Sequence, residues 1–487
     1  MSRNQISDLE AAVAMPGLEA LADVLDRHRR PKAGSTTDAL SILVFLAGRW
    51  SFGSAEALES AFKYTDLWTR TLRESAERIG RTLSENPPTY DQLRFFRDAL
   101  DDGVYEELAQ EFTAQATVLA KSIGLLDASE GTRLDNPNDG SVAYGDGTVF
   151  SSLSGVTMGL DGKPQGSRAK DLANARVAER HVGKKGDTSV GGVPITLVGV
   201  HGRKEHMGMI LGVALYADHD EIGSTMRLLD SVIAASRGGI SHLIYDRLMG
   251  GKFIKAVLER YRVVPVVAMT SASEHGRYVL LPPEIQRAGY NSKGTSKSGE
   301  KRGPKERAQL HYLETVEHDT PRGICVHDLW ALDGAIVSVP PGHEVTVDAD
   351  WVECRTYEWL DSPSGVHNLI GHHHVPCRSG SLQVSIDFTA ERGGGKALAD
   401  WVRPIPEASW NAAHLEGLRS AVEAQFAWLK NRLPYRKASS LDQRHFFLDV
   451  IGGALQCNAI AWDTHGSQHT KCAQAAARTR RRKALRR

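Results

Sequence analysis

The hydrophobic period of this 487-residue chain changes near residue 140, and that change restricts its fold more than any other feature. Up to about residue 126, apolar residues recur at helical spacing, as in the segments 18–25 and 40–45. After a polar linker at 127–140, short apolar runs of strand length alternate with amphipathic segments. This order predicts an all-helical N-terminal region followed by a mixed α/β sheet that is covered by helices.

The elements after the linker can be placed individually. Strands are predicted at 141–150, 193–200, 208–216, 242–248 and 263–269. Helices are predicted at 221–236, 251–261, about 411–433 and about 440–464. A Gly- and Lys-rich loop is predicted at about 154–191, and the pattern from about 272 to 400 is irregular and β-rich.

These patterns divide the chain into five predicted segments. They are a helical DNA-binding or dimerisation region at 1–126, the first part of a core at 140–271, a β-rich insertion at 272–400, C-terminal core helices at 401–465 and a basic tail at 466–487. Short helices with tight turns are compatible with a helix-turn-helix module, but a plain helical bundle fits the N-terminal pattern as well.

The distribution of charged residues along the chain is more informative than the net charge. Lys plus Arg and Asp plus Glu both number 59, so the net charge does not indicate a nucleic-acid partner. No acidic residue follows Asp463, however, and the tail contains Arg480, Arg481 and Arg482. A basic arm of this kind commonly contacts phosphates, although a solvated tail has the same composition. The segments 162–187 and 286–307 are also rich in basic residues.

The five cysteines are dispersed and form no Cys-x-x-Cys pair, which favours a reducing compartment over a disulfide framework. The N-terminus has no signal-peptide pattern, and no apolar run approaches the roughly 18 residues that a membrane helix needs. We therefore expect a cytoplasmic, nucleoid-associated protein without a membrane partner.

Three carboxylates are the main candidates for chemistry. Asp146 lies in a predicted strand, Asp246 ends another, and Glu423 lies within a predicted helix. Brought to one sheet edge, they would repel each other unless cations neutralised them, and two Mg²⁺ or Mn²⁺ ions suit such oxygen ligands. Taken singly, an Asp after a strand is more often a turn or cap residue, and a mid-helix Glu is usually solvated.

The neighbours of these carboxylates carry a resemblance. The segments YGDGT, LIYDRLMGG and RSAVEAQFAWLK resemble the three blocks of DDE transposases from bacterial insertion sequences, and WVRPIPEASW resembles transposase-like proteins of actinobacteria. Arg419, Glu423 and Lys430 match the Arg-x3-Glu-x6-Lys spacing of one large cut-and-paste group. On a continuous helix all three side chains would project from one face, although an ordinary surface ion pair has similar spacing.

The resemblance implies an RNase H-like core in which Asp146, Asp246 and Glu423 hold two metal ions. Metal-bound water would cut one strand at each transposon end, and the freed 3′-hydroxyl would attack target DNA. Arg419 and Lys430 would position phosphates. The implied partners are the terminal repeats and target DNA, both double-stranded, bound by a homodimer.

One departure keeps other functions open. Glu416 stands where the cut-and-paste group has a tyrosine, and an acidic residue beside phosphate would weaken DNA contact. A transposase-derived DNA-binding protein without catalytic activity, or a plain metal-dependent nuclease, therefore remains an alternative.

Other residues also suggest metal binding at first sight. Cys354, His367, His372–His374 and Cys377 have the right donor atoms for zinc, but their spacing fits no standard finger, so a structural role is favoured. The acidic segment ADHDE at 217–221 precedes a predicted helix and is interpreted as a cap.

Overall fold

The computed structural model describes most of the chain and divides it into two compact units. The described residues are 3–30, 37–128, 136–151, 157–158, 164–165, 179–182, 188–202, 208–216, 220–246, 248–267, 277–280, 307–343, 350–377, 380–392, 395–406, 412–433, 436–438 and 442–484. Unit 1 comprises Met1–Asp127, Asp139–Gly239 and Ala421–Arg487. Unit 2 comprises Ala128–Asn138 and Ile240–Ser420.

The N-terminal part of unit 1 is helical, as predicted. Its helices are α1 (Arg3–Ala14), α2 (Leu18–Arg27), α3 (Ala39–Phe52), α4 (Ala55–Tyr64), a π-helical turn (Leu67–Arg73), α5 (Glu74–Arg78), α6 (Tyr90–Ala99) and α7 (Val104–Ser122). Polar side chains fix several of the starts by accepting hydrogen bonds from otherwise unpaired backbone N–H groups: Asp38 caps α3, Ser54 caps α4, and Thr89 forms a capping box with Gln92.

Unit 1 continues with an antiparallel sheet centred on β5. Its elements are β1 (Val142–Phe150), β4 (Glu179–Val182), β5 (Thr188–Val200), β6 (Met209–Leu215) and α8 (Glu221–Ser236), and β2 (Thr157–Met158) pairs with β3 (Pro164–Gln165). β1 pairs with one edge of β5, whereas β4 and β6 pair with the other. The predicted loop at 154–191 is therefore wrong in part, because β4 and the first residues of β5 form a hairpin there.

The free edge of β6 is closed by a buried asparagine. Asn458 accepts a hydrogen bond from the Ile210 N–H at 2.8 Å and donates one to the Ile210 carbonyl at 2.8 Å. The amide side chain thus provides the donor and the acceptor that a neighbouring strand would otherwise supply. A helix covers the β6 edge in this way.

Asn458 belongs to α12 (Gln443–Ala484), which is much longer than the predicted helix at 440–464. Its apolar residues are buried as predicted: Phe446, Phe447, Leu448, Val450, Ile451 and Leu455. The other C-terminal helix is interrupted. The segment predicted as one helix at 411–433 forms α10 (Ala412–Leu418) and α11 (Ser420–Arg432), with Arg419 in the turn between them.

The close approach of α12 to α3 depends on Gly452. A Cβ atom at this position would lie 2.7 Å from the backbone carbonyl oxygen of Leu46, which cannot move without displacing α3. Gly452→Ala is therefore expected to destabilise unit 1 by about 1–3 kcal/mol through overpacking. The measurement is hydrogen exchange of the peptides that cover α3 and α12.

Gly417→Ala in α10 is the matched control, because a Cβ at Gly417 would meet nothing within 4 Å. The same substitution should there stabilise its helix by up to about 1 kcal/mol, the usual advantage of Ala over Gly. A stabilising effect at both positions would contradict the tight packing of α3 against α12.

Unit 2 begins with a strand–helix–strand motif and continues into β-rich structure. β7 (His242–Tyr245) and β8 (Val264–Val267) are parallel and are connected through α9 (Gly251–Tyr261), as the sequence predicts. β9 (Arg277–Leu280), β10 (Arg307–Thr320), β11 (Gly323–Leu332), β12 (Ala335–Val339) and β13 (Asp350–Trp351) form an antiparallel sheet. β14 (Glu353–Asp361), β15 (His367–Cys377) and β16 (Gly380–Asp387) form a second one.

A small hairpin of β17 (Glu391–Arg392) and β18 (Lys396–Ala397) follows these sheets and leads through a short 3₁₀ turn to α10. The chain as a whole is thus α/β, with antiparallel and parallel strand pairs, and 272–400 is β-rich where it is described. Among the described residues, no helix has the length and apolar character needed to cross a membrane.

Candidate functional site

Asp146 lies in the middle of β1, on a face of the strand that is packed by the C-terminal helices of unit 1. Side chains alternate along a strand, so Asp146 shares its face with Thr148 and Phe150. The Phe150 ring packs against Phe446 of α12 with the ring centroids 5.2 Å apart. Asp146 itself is half-buried, and its carboxylate accepts a hydrogen bond from the Gly147 N–H at 3.0 Å.

Lys430 connects α11 to this face of β1. Its Nζ atom donates a hydrogen bond to Thr148 Oγ1 at 2.5 Å and lies 5.4 Å from the centre of the Phe150 ring. Burial lowers the pKa of the Lys430 ammonium, and the negative charge of Asp146 partly offsets that effect. The first and third sequence blocks are therefore close together within unit 1.

Glu423 lies two helical turns before Lys430 on α11, and its side chain is exposed. Residues seven apart share a helix face, so Glu423 occupies the same stripe as Lys430. An exposed carboxylate on this stripe and a half-buried carboxylate on β1 are oxygen donors of the type that Mg²⁺ and Mn²⁺ prefer. That these two carboxylates hold a divalent ion together stays a prediction.

Asp246 belongs to unit 2, directly after β7. It is half-buried, and its carboxylate accepts a hydrogen bond from the Leu248 N–H at 2.8 Å in the turn that leads to α9. This is the position at the carboxyl end of a parallel strand that was expected from the sequence. The convergence of Asp246 with Asp146 and Glu423 stays a prediction.

The residues predicted to bind phosphate have different surroundings. Arg419 lies in the turn before α11, so it is not on a continuous helix with Glu423 and Lys430; its Nε atom is buried without a hydrogen-bond partner in the described part of the chain. The backbone of Arg480, Arg481 and Arg482 continues α12, but their side chains lie outside the described residues, as does that of Glu416. Residues 286–306 and most of 162–187 also lie outside them.

The acidic segment before α8 is a helix cap, as predicted. Asp220 accepts a hydrogen bond from the Gly223 N–H at 3.0 Å and forms an exposed ion pair with Arg227 at 3.3 Å. Asp218 lies outside the described residues. The two predicted metal ligands that lie in unit 1 are Asp146 and Glu423.

A group of four candidate metal ligands lies in unit 2. His318, Cys325, His327 and Cys377 each offer one donor atom, and these atoms all lie within 4.8 Å of one another. Of these four residues, only Cys377 was weighed as a zinc ligand from the sequence. The sequence did contain a clue to this group. Cys325 and His327 are two residues apart, and in a strand that spacing places both side chains on the same face.

Three histidines that the sequence analysis weighed against zinc binding, His367, His372 and His373, have separate partners. His367 bonds to Asp361 at 2.8 Å, and His372 contacts Ser385 and Glu358 at 2.9 and 3.1 Å. His373 is buried, which lowers the pKa of its imidazole to about 4, and it contacts the Gly371 carbonyl oxygen at 3.0 Å. Of the cysteines and histidines at 354–377, for which the sequence favours a structural role over zinc binding, Cys377 belongs to the cluster with His318, Cys325 and His327.

No protein-family model matches the chain, and no curated protein matches it.

Proposed function

We propose that this protein is a DDE-type transposase that cleaves DNA at transposon ends and transfers the freed strands into target DNA. The proposal includes an RNase H-like core, which the order of three antiparallel strands followed by parallel strands and helices supports. Asp146, Asp246 and Glu423 are the proposed metal-holding carboxylates. Double-stranded DNA is the proposed partner, bound by two copies of the chain.

The observation that carries the proposal is the contact between β1 and α11 in unit 1. Lys430 and Thr148 are 282 residues apart in the chain, yet their side chains are hydrogen-bonded beside Asp146. The two sequence blocks that resemble the first and third blocks of the transposases thus share one location. This contact supports the proposal that both blocks contribute to one site.

The roles of the residues follow from their charge and position. The carboxylates would hold two divalent ions, which activate the attacking oxygen and stabilise the leaving oxygen of a phosphodiester displacement. Lys430 is half-buried next to Asp146, so its ammonium can bind a phosphate oxygen that approaches the same carboxylate. No covalent link between protein and DNA is required for either displacement.

One observation also favours an inactive DNA-binding protein. The Lys430 ammonium places a fixed positive charge beside Asp146, where it partly neutralises the carboxylate that the catalytic proposal assigns to a metal ion. If this pairing persists on DNA, the same residues would bind phosphate without cutting it.

A strand-cleavage assay distinguishes these functions. The full-length protein is incubated with Mg²⁺ or Mn²⁺ and a plasmid carrying the genomic DNA on both sides of this coding sequence. Cutting at two defined ends, with joining to a second plasmid, supports the transposase. Cutting without joining indicates a nuclease, and specific binding without cutting indicates the inactive protein.

Lys430→Gln is expected to weaken DNA binding through the loss of one phosphate contact. Each such contact releases about 0.9 counterion, so the slope of log affinity against log salt should become less steep by about one unit. Fluorescence anisotropy over a salt series measures this slope. Lys121→Gln, at an exposed lysine in the last turn of α7, is the control; equal slopes for the two variants would remove Lys430 from the interface.

A further inference from the structure

We propose that His318, Cys325, His327 and Cys377 form a structural zinc site that joins the two antiparallel sheets of unit 2. This site is separate from the carboxylates of the proposed transposase and does not depend on that function. Two thiolates and two imidazoles are a donor set that selects zinc over magnesium or manganese.

Strand register places three of the ligands on one surface. His318 of β10 lies directly opposite Cys325 of β11, and His327 follows two residues later on the same side of β11. The two imidazole rings are nearly parallel, with centroids 5.8 Å apart. The β10–β11 hairpin thus presents His, Cys and His as a preformed group.

Cys377 supplies the fourth donor from the second sheet. It is the last residue of β15 and pairs with Gly380 of β16. Its Sγ atom lies close to Cys325 and His318 of the first sheet, so the cluster contains one ligand from each of three strands and a second from β11.

Three of the distances between donor atoms are close to those that a tetrahedral zinc ion sets, and all of the donor atoms lie within 4.8 Å of one another. Zn–S bonds of about 2.3 Å and Zn–N bonds of about 2.0–2.1 Å place neighbouring ligand atoms about 3.3–3.8 Å apart. The Sγ atoms of Cys325 and Cys377 are 3.3 Å apart. Cys325 Sγ lies 3.3 Å from His327 Nε2, and Cys377 Sγ lies 3.4 Å from His318 Nε2.

A second contact orients one of the histidines. His327 is buried, and its Nδ1 atom lies 3.2 Å from Ser338 Oγ on β12. With the proton on Nδ1 donated to Ser338, the lone pair of Nε2 is free to bind the metal. Zinc-binding histidines commonly have such a partner.

Four protein ligands leave no open position for water or substrate, so the site is structural. The metal would connect β10 and β11 of one sheet to β15 of the other. Removal of zinc should therefore loosen β10, β11 and β15 while leaving unit 1 folded.

Metal analysis of the full-length, tag-free protein tests the proposal. Wild type purified from zinc-supplemented medium should contain about one zinc ion per chain by mass spectrometry of the digested protein. Cys377→Ser should lose most of it. Cys354→Ser is the matched control, because Cys354 is equally half-buried in neighbouring strand β14 but contacts the Thr356 carbonyl instead; it should keep its zinc.

A measurement on the wild type keeps the test independent of variant folding. Exchange of zinc for Co²⁺ should give the intense visible absorption of a tetrahedral ion and a thiolate-to-cobalt band. Equal zinc in Cys377→Ser and wild type would overturn the proposal. So would metal-free wild type that develops no such spectrum, or a Cys325–Cys377 disulfide found by non-reducing peptide mapping.

Discussion

Asp146→Asn is expected to reduce Mg²⁺-dependent DNA cleavage by about a thousand-fold while leaving DNA affinity nearly unchanged. Metal ions contribute several kcal/mol to stabilising the transition state, and each 1.36 kcal/mol corresponds to a factor of ten in rate. Asparagine has the shape of aspartate and can still accept the hydrogen bond from Gly147, so β1 should be undisturbed. A lower cleavage rate would therefore result from the missing negative charge and not from a change in the fold.

The measurement is the initial rate of strand cleavage at saturating DNA, with anisotropy for binding. Asp220→Asn is the control, because Asp220 carries the same charge near the sheet but serves as the α8 cap, a role that asparagine fills equally well. Its rate should match that of the wild type. If Asp146→Asn were as active as Asp220→Asn, the carboxylate on β1 would have no part in the chemistry.

The fold could largely be predicted because the hydrophobic period is strong. The helices α8 and α9 begin and end where the sequence placed them, and β1, β6, β7 and β8 differ from prediction by a few residues at most. Local signals were weaker at two places. The polar composition of 154–191 concealed β4, and the helix break at Arg419 was indicated only by Gly417, a poor helix former.

The candidate sites were harder to predict than the fold, because their residues are far apart in the sequence and meet only after folding. Asp146 and Lys430 could be selected through resemblance, but their proximity arises from packing between β1 and α11. The proposed zinc ligands were not recognised from the sequence for two reasons. His318 and Cys325 become neighbours only through the pairing of β10 with β11, and Cys377 lies 52 residues after Cys325 in the chain. Spacing along the chain gives no direct measure of such cross-strand distances.

The core of unit 1 contains a buried charge cluster that should dominate its stability. Asp449 of α12 is fully buried and contacts the guanidinium groups of Arg49 on α3 and Arg97 on α6, which are also buried. The backbone carbonyl of Asp449 further accepts a hydrogen bond from Trp50 Nε1 at 2.9 Å. Three helices from opposite ends of the sequence thus meet at one carboxylate.

Asp449→Asn is expected to destabilise unit 1 by about 3–5 kcal/mol, because it leaves two buried guanidinium groups without the negative charge that compensates them. Hydrogen exchange of the α3, α6 and α12 peptides measures this loss, since a single unfolding transition is not expected of a chain with two units. Asp220→Asn makes the same change in an exposed ion pair with Arg227, so its effect should stay below about 1 kcal/mol.

Equal protection in the two variants would mean that Asp449 is dispensable to the packing of these helices. The expected result has a consequence for DNA binding as well. A fragment that ends before α12 would keep Arg49 and Arg97 but lack Asp449, so the N-terminal helices would carry two uncompensated buried charges. Their role in recognising DNA must therefore be tested in the full chain, with substitutions on their exposed faces.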